Sequence, residues 1–382
     1  MYGRLKAWPG AVALGLLGLL LPGSANAGLD LRKVGEFAGP TYLAASADDR
    51  RRKFVTERRG TIRVVAGGNV KSRPFLDIKR RVSTRGEGGL LSLAFSPNYG
   101  RDRRFYVYYV DNGHDIRVDQ FRAKPGAPNQ ARPASRQGII RIKSPPDTHK
   151  GGQLQMTESG YLLLATGDGG DFTNPSRKPQ SKRSLLGKLL RIKPAPQRPG
   201  SERQYVPHPD NPFAGADQDG HGAILALGLR NPWRFSLDRR HPARIAIADV
   251  GHSRVEEVNY GSQERLRRAN FGWPCYEGRR RLESCQVNDH EKPVLTYGHG
   301  GGRCSITGGY VNRAPGLPRQ GHYFYGDFCS RKIWTARLRH PRAGRPHSTP
   351  LRVPSLVSFG EDARGNLYTV SLNGAVRRIV ER

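Results

Sequence analysis

The sequence predicts an all-β fold, a six-bladed β-propeller with long loops at the mouth of its central channel. Two observations lead to this prediction. The 382 residues include 47 glycines and 28 prolines, spread along the chain rather than gathered in one tract, and this composition disfavours long helices. In addition, one pattern recurs: an apolar or aromatic strand, a short polar turn and a second strand. Repeats of this kind are typical of propeller blades.

The repeat can be read six times. The paired strands are predicted at 53–65, at 105–110 with 116–121, at 161–166 with 189–192, at 245–250 with 256–259, at 323–328 with 332–336, and at 367–371 with 375–379. Further strand-like segments precede three copies, at 91–95, 234–237 and 356–359. Each unit therefore carries three or four strands, with about 59 residues to a blade. A seventh blade would require a copy that is not visible.

The first 27 residues have the pattern of a secretory signal. Arg4 and Lys6 precede an apolar run at 11–21, and residues 25–27 read Ala-Asn-Ala, as at a cleavage site. The run is shorter than the roughly 20 residues that a membrane-spanning helix needs. We therefore expect a periplasmic or secreted protein, with one propeller domain over residues 28–382.

The cysteines agree with an oxidising compartment. All four, Cys275, Cys285, Cys304 and Cys329, lie in the last third of the chain. Four cysteines permit three pairings, and we expect neighbours to pair, Cys275 with Cys285 and Cys304 with Cys329. The alternative is a zinc site, but the close cysteine pair of such sites is absent from the sequence.

The formal net charge of +32 indicates attraction to polyanions. The basic residues are scattered in short clusters, such as 50–53 and 279–281. An exported chain without a recognised binding motif is not expected to bind nucleic acid. Two interpretations remain: electrostatic association with an anionic cell envelope, or an arginine-rich solvated surface without a specific partner.

Long irregular stretches at 141–160, 167–188 and 259–305 are the first candidates for a site, because loops at one end of the strands line a propeller's channel. His149 precedes one predicted strand and Asp168 follows the next. If these strands are antiparallel neighbours, the carboxylate can hold the imidazole in one tautomer, as a general base requires. Spacing alone also permits a purely structural pair.

Eight motifs in a fixed order carry a resemblance to a known family. They are EGGLLSLAF at 87–95, HKGGQL at 149–154, GDGG at 167–170, LLGKLLR at 185–191, DNPF at 210–213, GLRNPWR at 228–234, DVG at 249–251 followed by EE at 256–257, and NFGWP at 270–274. Together they resemble the glucose/sorbosone dehydrogenase family, six-bladed propellers that use pyrroloquinoline quinone (PQQ) with calcium. The resemblance extends from about residue 35 to 380.

The resemblance implies a role for each matching residue. His149 corresponds to the catalytic base that takes the proton of a sugar's anomeric hydroxyl while hydride passes to the quinone, and Asp168 corresponds to the acid that orients it. Arg230 and Asn231 correspond to residues near the quinone, and Glu87 to a Gln or Glu that faces it. The implied reaction oxidises an aldose to its lactone. Electrons would leave to an external acceptor, since the sequence has no c-type haem signature.

Calcium is implied by the same resemblance. Gly251 and His252 correspond to a turn whose backbone carbonyls hold the cofactor's calcium, with His252 where relatives have proline. Carbonyl oxygens are suitable ligands for this ion. Glu257, with Asn259 nearby, resembles a second, structural calcium site, and a solvated turn is the alternative interpretation.

The chain departs from the family pattern in its last third. Cys329 stands where the family has a cofactor-binding lysine, and the expected arginine before Glu361 is missing, with Arg331 and Lys332 as candidate substitutes. Each lost charge-assisted contact weakens binding of a tricarboxylate by about 1.5–3 kcal/mol. The cysteine-bearing version also resembles hedgehog-interacting-like propellers. The alternative functions are therefore a non-catalytic propeller that binds glycan or protein, and another calcium-dependent chemistry such as lactone hydrolysis.

Overall fold

A computed structural model describes residues 28–144, 147–170, 177–196, 204–215 and 220–382. The elements in these ranges are almost all β-strands, and the sheets form a propeller-like fold, as predicted. Within the same ranges, no helix is long and apolar enough to cross a membrane. The segment predicted to be a secretory signal, residues 1–27, lies outside the described residues.

The strands are numbered in chain order. The first fourteen are β1 (Leu29–Glu36), β2 (Pro40–Ala44), β3 (Arg52–Glu57), β4 (Thr61–Ala66), β5 (Asn69–Val70), β6 (Leu76–Asp77), β7 (Leu90–Phe95), β8 (Arg104–Val110), β9 (Ile116–Lys124), β10 (Ala127–Ile142), β11 (Leu154–Met156), β12 (Leu162–Thr166), β13 (Lys188–Pro194) and β14 (Tyr205–Pro207).

The remaining strands complete the sheets. They are β15 (Ile224–Leu227), β16 (Pro232–Asp238), β17 (His241–Asp249), β18 (Val255–Ser262), β19 (Tyr276–Glu277), β20 (Arg280–Arg281), β21 (Leu295–Gly298), β22 (Ile306–Val311), β23 (Tyr323–Asp327), β24 (Lys332–Ala336), β25 (His347–Arg352), β26 (Leu356–Glu361), β27 (Leu367–Ser371) and β28 (Ala375–Glu381). Two helices of one turn each, α1 (Tyr99–Asp102) and α2 (Gln263–Leu266), and two 3₁₀ turns, Lys79–Arg81 and Lys178–Gln180, lie between them.

Besides a two-stranded sheet of β19 and β20, four larger sheets are built from strands that are close in sequence: β7–β10, β11–β15, β16–β18 with β21, and β22–β25. A fifth sheet of nine strands joins both ends of the described chain. In it, β2–β6 lie beside β26–β28 and β1, and the two groups meet where β2 runs parallel to β26. Strand β1 pairs antiparallel with β28, so the first strand completes a sheet made from the last three.

The predicted strands form because their residues suit a sheet that is covered on both faces. Strand β8 has the sequence RFYVYYV, and all of its residues except the first are buried. Strand β7, LLSLAF, is buried along its whole length. β-branched and aromatic residues favour extended backbone, and neighbouring sheets remove both faces from water. Each strand predicted from the repeat is found in the structure, with boundaries shifted by a few residues.

A buried arginine lies among the inner strands of the sheets. The innermost strands of the sheets, β2, β7, β11, β16, β22 and β26, surround it, and Arg234 projects from β16. Its guanidinium donates to the carbonyls of Thr41 (2.8 Å), Leu91 (3.2 Å), Gly152 (2.8 Å) and Trp233 (2.9 Å) and to Oγ of Ser358 (2.8 Å). Burial lowers the pKa of Arg234 to about 10. These bonds offset the cost of burying the charge and tie the inner strands together.

Candidate active site

A cavity of about 270 Å³ opens at the end of the channel where the inner strands begin. Its walls include residues near the starts of five inner strands together with loop residues: Thr41, Arg58, Gly86, Glu87, Leu91, Asn231, Trp233, Val250, Ser305, Thr307, Phe328, Val357 and Leu372. The predicted site residues Glu87 and Asn231 are among them. The other predicted residues lie in the layer behind this wall or farther from it.

His149 and Asp168 form the predicted pair. Strands β11 and β12 are antiparallel neighbours, so the segment before β11 meets the segment after β12. Nδ1 of His149 lies 2.7 Å from Oδ1 of Asp168, and both side chains are buried. His149 has a φ of 50°, which is uncommon for a residue with a side chain and requires support from its surroundings.

Asp168 is held in its ionised form by three donors. Besides His149, the Gly170 N–H donates to Oδ1 at 2.8 Å, and Nε1 of Trp273 donates to Oδ2 at 2.7 Å. Burial raises the pKa of Asp168, but the hydrogen bonds from His149, Gly170 and Trp273 outweigh burial and bring the pKa below its usual value. With Asp168 ionised, Nδ1 of the neutral imidazole donates and Nε2 carries the lone pair.

Trp273 is a site residue that sequence reasoning missed. Its indole bonds Asp168 on one side, and the guanidinium carbon of Arg230 lies 5.3 Å from its ring centre. The contact results from a long loop folding back to the His149–Asp168 pair, 105 residues away in sequence. The sequence signal that could have identified Trp273 is the NFGWP motif, because the tryptophan side chain can donate a hydrogen bond to a carboxylate but cannot accept one.

Arg230 and Asn231 are fixed by the buried carboxylate of Asp249. One oxygen accepts the N–H of Arg230 at 2.9 Å and the other accepts the N–H of Asn231 at 2.7 Å. Burial and the nearby Glu257 raise the pKa of Asp249 well above its usual value. The Arg230 carbonyl accepts the N–H of Asp168 at 2.8 Å, so this segment is joined directly to the His149–Asp168 pair.

Glu87 is joined to the same group of residues. Its Oε2 accepts hydrogen bonds from Nδ2 of Asn231 and the N–H of Lys150, each at 3.3 Å. Oδ1 of Asn231 in turn accepts the N–H of Gly151 at 3.0 Å. The structure therefore brings together all five residues predicted for catalysis and for the cofactor: Glu87, His149, Asp168, Arg230 and Asn231.

The turn predicted to bind calcium, at Gly251 and His252, lies beside Trp273. The His252 ring is 5.8 Å from the Trp273 ring. Oε1 of Glu277 accepts the N–H groups of four successive residues in this turn, His252 (2.9 Å), Ser253 (2.8 Å), Arg254 (2.8 Å) and Val255 (3.2 Å). Burial raises the pKa of Glu277, but these bonds outweigh it and lower the pKa. Sequence reasoning missed this carboxylate.

Glu257 is buried in β18, opposite Asp249 in β17, so the interpretation as a solvated turn is wrong. Its carboxylate accepts hydrogen bonds from Nδ2 of Asn259 and the N–H of Gly278, both at 2.9 Å. Burial and nearby carboxylates raise the pKa of Glu257 to about 7. Among the described residues, no group of three or more His, Cys, Asp or Glu side chains is arranged to hold a metal ion.

The cysteines form the two expected disulfides, Cys275–Cys285 and Cys304–Cys329. The second lies at the cavity, where its neighbours Ser305 and Phe328 are part of the wall. Cys329, for which the sequence resemblance implies a lysine in relatives, is thus a half-cystine. Arg331 and Lys332, which the sequence offered as substitutes, are not among the residues that line this cavity, whereas Arg58 is.

The fold and the site define a β-propeller protein with a buried His–Asp pair at one end of its channel. The model of one family, described as Glucose / Sorbosone dehydrogenase, matches residues 37–349. The chain belongs to this family.

Curated relatives of two kinds are similar to the chain. HIPL1 protein of Arabidopsis thaliana is 27% identical over 80% of the chain and 55% of the relative, and human hedgehog-interacting protein is 28% identical over 54% and 31%. Aldose sugar dehydrogenase YliI of Escherichia coli (strain K12) is 25% identical over 61% of the chain and 58% of that protein. The chain spans about half the length of the first two relatives it matches, the HIPL proteins.

Solved structures agree with the fold. The PQQ-bound aldose sugar dehydrogenase from Streptomyces coelicolor has a TM-score of 0.72 at 22% identity, with 94% of this chain and 99% of that chain covered. The apo-form of the soluble aldose sugar dehydrogenase from Escherichia coli has a TM-score of 0.75 at 21% identity, with 93% and 100% covered. At these identities the likeness shows a shared fold.

Proposed function

We propose that this protein is an exported, PQQ- and calcium-dependent dehydrogenase that oxidises aldose sugars at C1 to lactones and passes the electrons to an external acceptor. The buried His149–Asp168 pair, beside a cavity at the channel end, carries the proposal. Membership in the Glucose / Sorbosone dehydrogenase family supports the reaction class.

The chain's own residues account for the proton. Nε2 of His149 would take the proton of the C1 hydroxyl as the C1 hydride leaves and the C1–O double bond forms. The ionised Asp168, bonded to Nδ1 at 2.7 Å, would then stabilise the imidazolium. Positioned bases of this kind accelerate reactions by roughly 10²–10⁴-fold. PQQ, when bound, supplies the hydride acceptor.

Cationic and polar residues at the cavity, with Arg58 in its wall, suit a flat anionic quinone. Glu87 and Asn231 line the cavity, and Arg230 lies behind it, with Nη1 donating to the carbonyl of the lining residue Val250 at 3.0 Å. The planar guanidinium of Arg230 suits paired oxygens. Trp233 and Val357 provide apolar wall for the faces of a flat ring. Because Cys329 replaces a lysine, we expect weaker quinone binding than in relatives that keep it.

The proposal places calcium at the Gly251–His252 turn and at Glu257. Two buried oxygens near Glu257, Oε2 of Glu277 and Oδ1 of Asn259, have no hydrogen-bond partner among the described residues. Oxygens of this kind are the ligands that calcium prefers. A bound cation would also oppose the burial and the repulsion from nearby carboxylates that raise the pKa of Glu257.

The architecture proposed with this function is a six-bladed propeller over residues 28–382, after removal of a signal at 1–27. The nine-stranded sheet would then represent two blades, which meet at the parallel contact of β2 and β26. The disulfides agree with an oxidising compartment. The charge of +32 would favour association with an anionic envelope.

Reconstitution tests the proposal. The purified mature protein is incubated with PQQ and calcium, and dye reduction is followed with a panel of aldoses. We expect turnover in the wild type and its loss in His149→Ala, with circular dichroism unchanged. The matched control is His241→Ala, an exposed histidine at the start of β17. Absence of turnover with every aldose, despite measured PQQ binding, would contradict the proposal.

A non-catalytic propeller that binds glycan or protein is the second candidate. Its support is the half-cystine at 329 together with the similarity to HIPL1 and hedgehog-interacting protein. Calorimetric titration with PQQ separates the two functions. A binding heat that saturates at a defined ratio of PQQ to protein favours the enzyme. No PQQ binding, together with retention on a glycan array, favours the non-catalytic propeller.

A further inference from the structure

Phe328 is an aromatic side chain at the mouth of the cavity that remains partly in water. It lines the cavity and is 39% exposed. Val206, at 53%, is the other large apolar side chain in the described ranges with such exposure, and it does not line the cavity. A single exposed apolar residue is ordinary in itself. Phe328 differs from Val206 because it lies beside the candidate site.

The backbone on both sides of Phe328 is immobilised. The preceding residue, Asp327, is buried, and its Oδ2 accepts the N–H groups of Cys304 (3.0 Å) and Ser305 (2.9 Å). The following residue, Cys329, is bonded to Cys304. The N–H of Phe328 itself donates to the carbonyl of Ser305 at 2.9 Å. The aromatic ring is therefore presented from a fixed backbone rather than from a mobile loop.

The rest of the wall shows which ligand suits this ring. Ser305 and Thr307 offer hydroxyl groups and Leu372 is apolar, and these lining residues are separate from those that the proposed function gives to the quinone. A cavity of this kind suits a ring with hydroxyl groups on its edge and C–H bonds on its face, which is the chemistry of a pyranose sugar. Because Phe328 is partly exposed at the mouth of the cavity, a substrate that enters and leaves in every turnover would contact its ring.

We propose that Phe328 is a substrate-binding residue on which the C–H face of the pyranose packs. This inference rests on the proposed function, because it assigns the substrate contact of the same site. The carboxylate of Asp327 and the Cys304–Cys329 disulfide hold the backbone that presents the ring.

Two substitutions and a control test the role. In Phe328→Ala we expect the KM for the aldose to rise about tenfold with kcat unchanged, because the contact is made before and during the reaction alike. Phe328→Tyr keeps the aromatic face and should stay within about twofold of the wild type. Val206→Ala removes an exposed side chain of similar character away from the cavity and should change neither constant. Circular dichroism checks the fold of each variant.

Binding measurements separate this inference from the proposed function. The dissociation constant of the aldose is measured with the PQQ-free protein by ligand-observed NMR, and that of PQQ by calorimetry. We expect Phe328→Ala to weaken aldose binding and to leave PQQ binding within about twofold. An unchanged KM for the aldose in Phe328→Ala overturns the inference, and the enzyme proposal stands. A Phe328→Ala variant that loses affinity for PQQ but not for the aldose also overturns the inference and leaves the enzyme proposal standing. If the wild type shows no turnover but binds aldose through Phe328, the enzyme proposal fails and the inference stands. If the wild type neither turns over nor binds an aldose, both fail.

Discussion

The mouth of the channel has two regions that are held in different ways. In the first, hydrogen bonds fix buried side chains: Asp168 bonds His149, and Oδ1 of Asn231 accepts a backbone N–H. In the second, residues 304–305 and 327–329 are fixed by a disulfide and by the buried carboxylate of Asp327. The first region positions groups that can move a proton. The second presents an aromatic ring without a titratable group. We infer that the first controls the chemical step and the second controls substrate binding.

The comparison predicts the largest effect in the first region. Asp168→Asn keeps the shape of the side chain but removes the charge that holds the tautomer of His149 and stabilises its protonated form. We expect kcat to fall by about 10²–10⁴-fold, the range of a positioned base. Steady-state kinetics measure it, with Asp210→Asn, an exposed acid, as the control. A kcat within threefold of the wild type would contradict the assignment.

A smaller loss is expected from Trp273→Phe, which keeps an aromatic ring and removes the donor to Oδ2 of Asp168. A hydrogen bond to a charged group contributes about 1.5–3 kcal/mol, so kcat should fall roughly 10- to 100-fold. The pKa of Asp168 should rise toward its usual value, because one of the bonds that lowers it is gone. A pH–rate profile with an unchanged acidic limb would show that the indole does not support the pair.

Calcium and pH should act on stability together through Glu257. Its folded-state pKa is raised to about 7, so its contribution to stability is present below the unfolded value and is lost as pH rises through 7. In a chelator, we therefore expect Tm to fall between pH 5 and pH 8. Added calcium should raise Tm more at pH 8 than at pH 5. At pH 8, a hundredfold excess of calcium over its dissociation constant should add roughly 2.7 kcal/mol to the free energy of unfolding.

Glu257→Gln is the matched variant for this experiment. The amide is not ionised at either pH, so both the fall of Tm with pH and the larger calcium response at pH 8 should shrink. Magnesium at the same concentration serves as the control for ionic strength and for a smaller cation. A calcium response of the same size in Glu257→Gln and the wild type would place the ion elsewhere.

The two disulfides sharpen the comparison because one lies within the second region and the other lies close in sequence to Trp273, which bonds Asp168 of the first region. Removal of either pair, as Cys275→Ala with Cys285→Ala or Cys304→Ala with Cys329→Ala, should cost about 2–4 kcal/mol of stability. Loss of Cys304–Cys329 should then raise the KM for the aldose a few-fold. Loss of Cys275–Cys285, near Trp273 in sequence, should instead lower kcat. Identical kinetic effects of the two double variants would remove the distinction between the regions.

The fold and half of the site could be predicted from sequence because they depend on local pattern. The strands follow from apolar runs between turns, and the contact of His149 with Asp168 follows from the pairing of β11 with β12. In an antiparallel pair the start of the first strand lies beside the end of the second, so a spacing of 19 residues was enough to place this pair.

Other contacts depend on loops that have no periodicity. The bond from Trp273 to Asp168 and the bonds from Glu277 to residues 252–255 form only after the segment following β18 has folded back. The role of Arg234 was hidden for a similar reason, because one of its acceptors, Thr41, is 193 residues away. The burial of Glu257 could not be distinguished from a solvated turn, since two adjacent acids are polar in either setting.

The central claim is that His149 takes the substrate's proton beside a bound quinone. The most direct measurement is anaerobic stopped-flow of PQQ-loaded protein mixed with aldose, with quinone reduction followed by absorbance in the wild type and in His149→Ala. We predict that the variant binds PQQ as the wild type does but reduces it at least about 10²-fold more slowly. Reduction at the same rate in both proteins would contradict the claim.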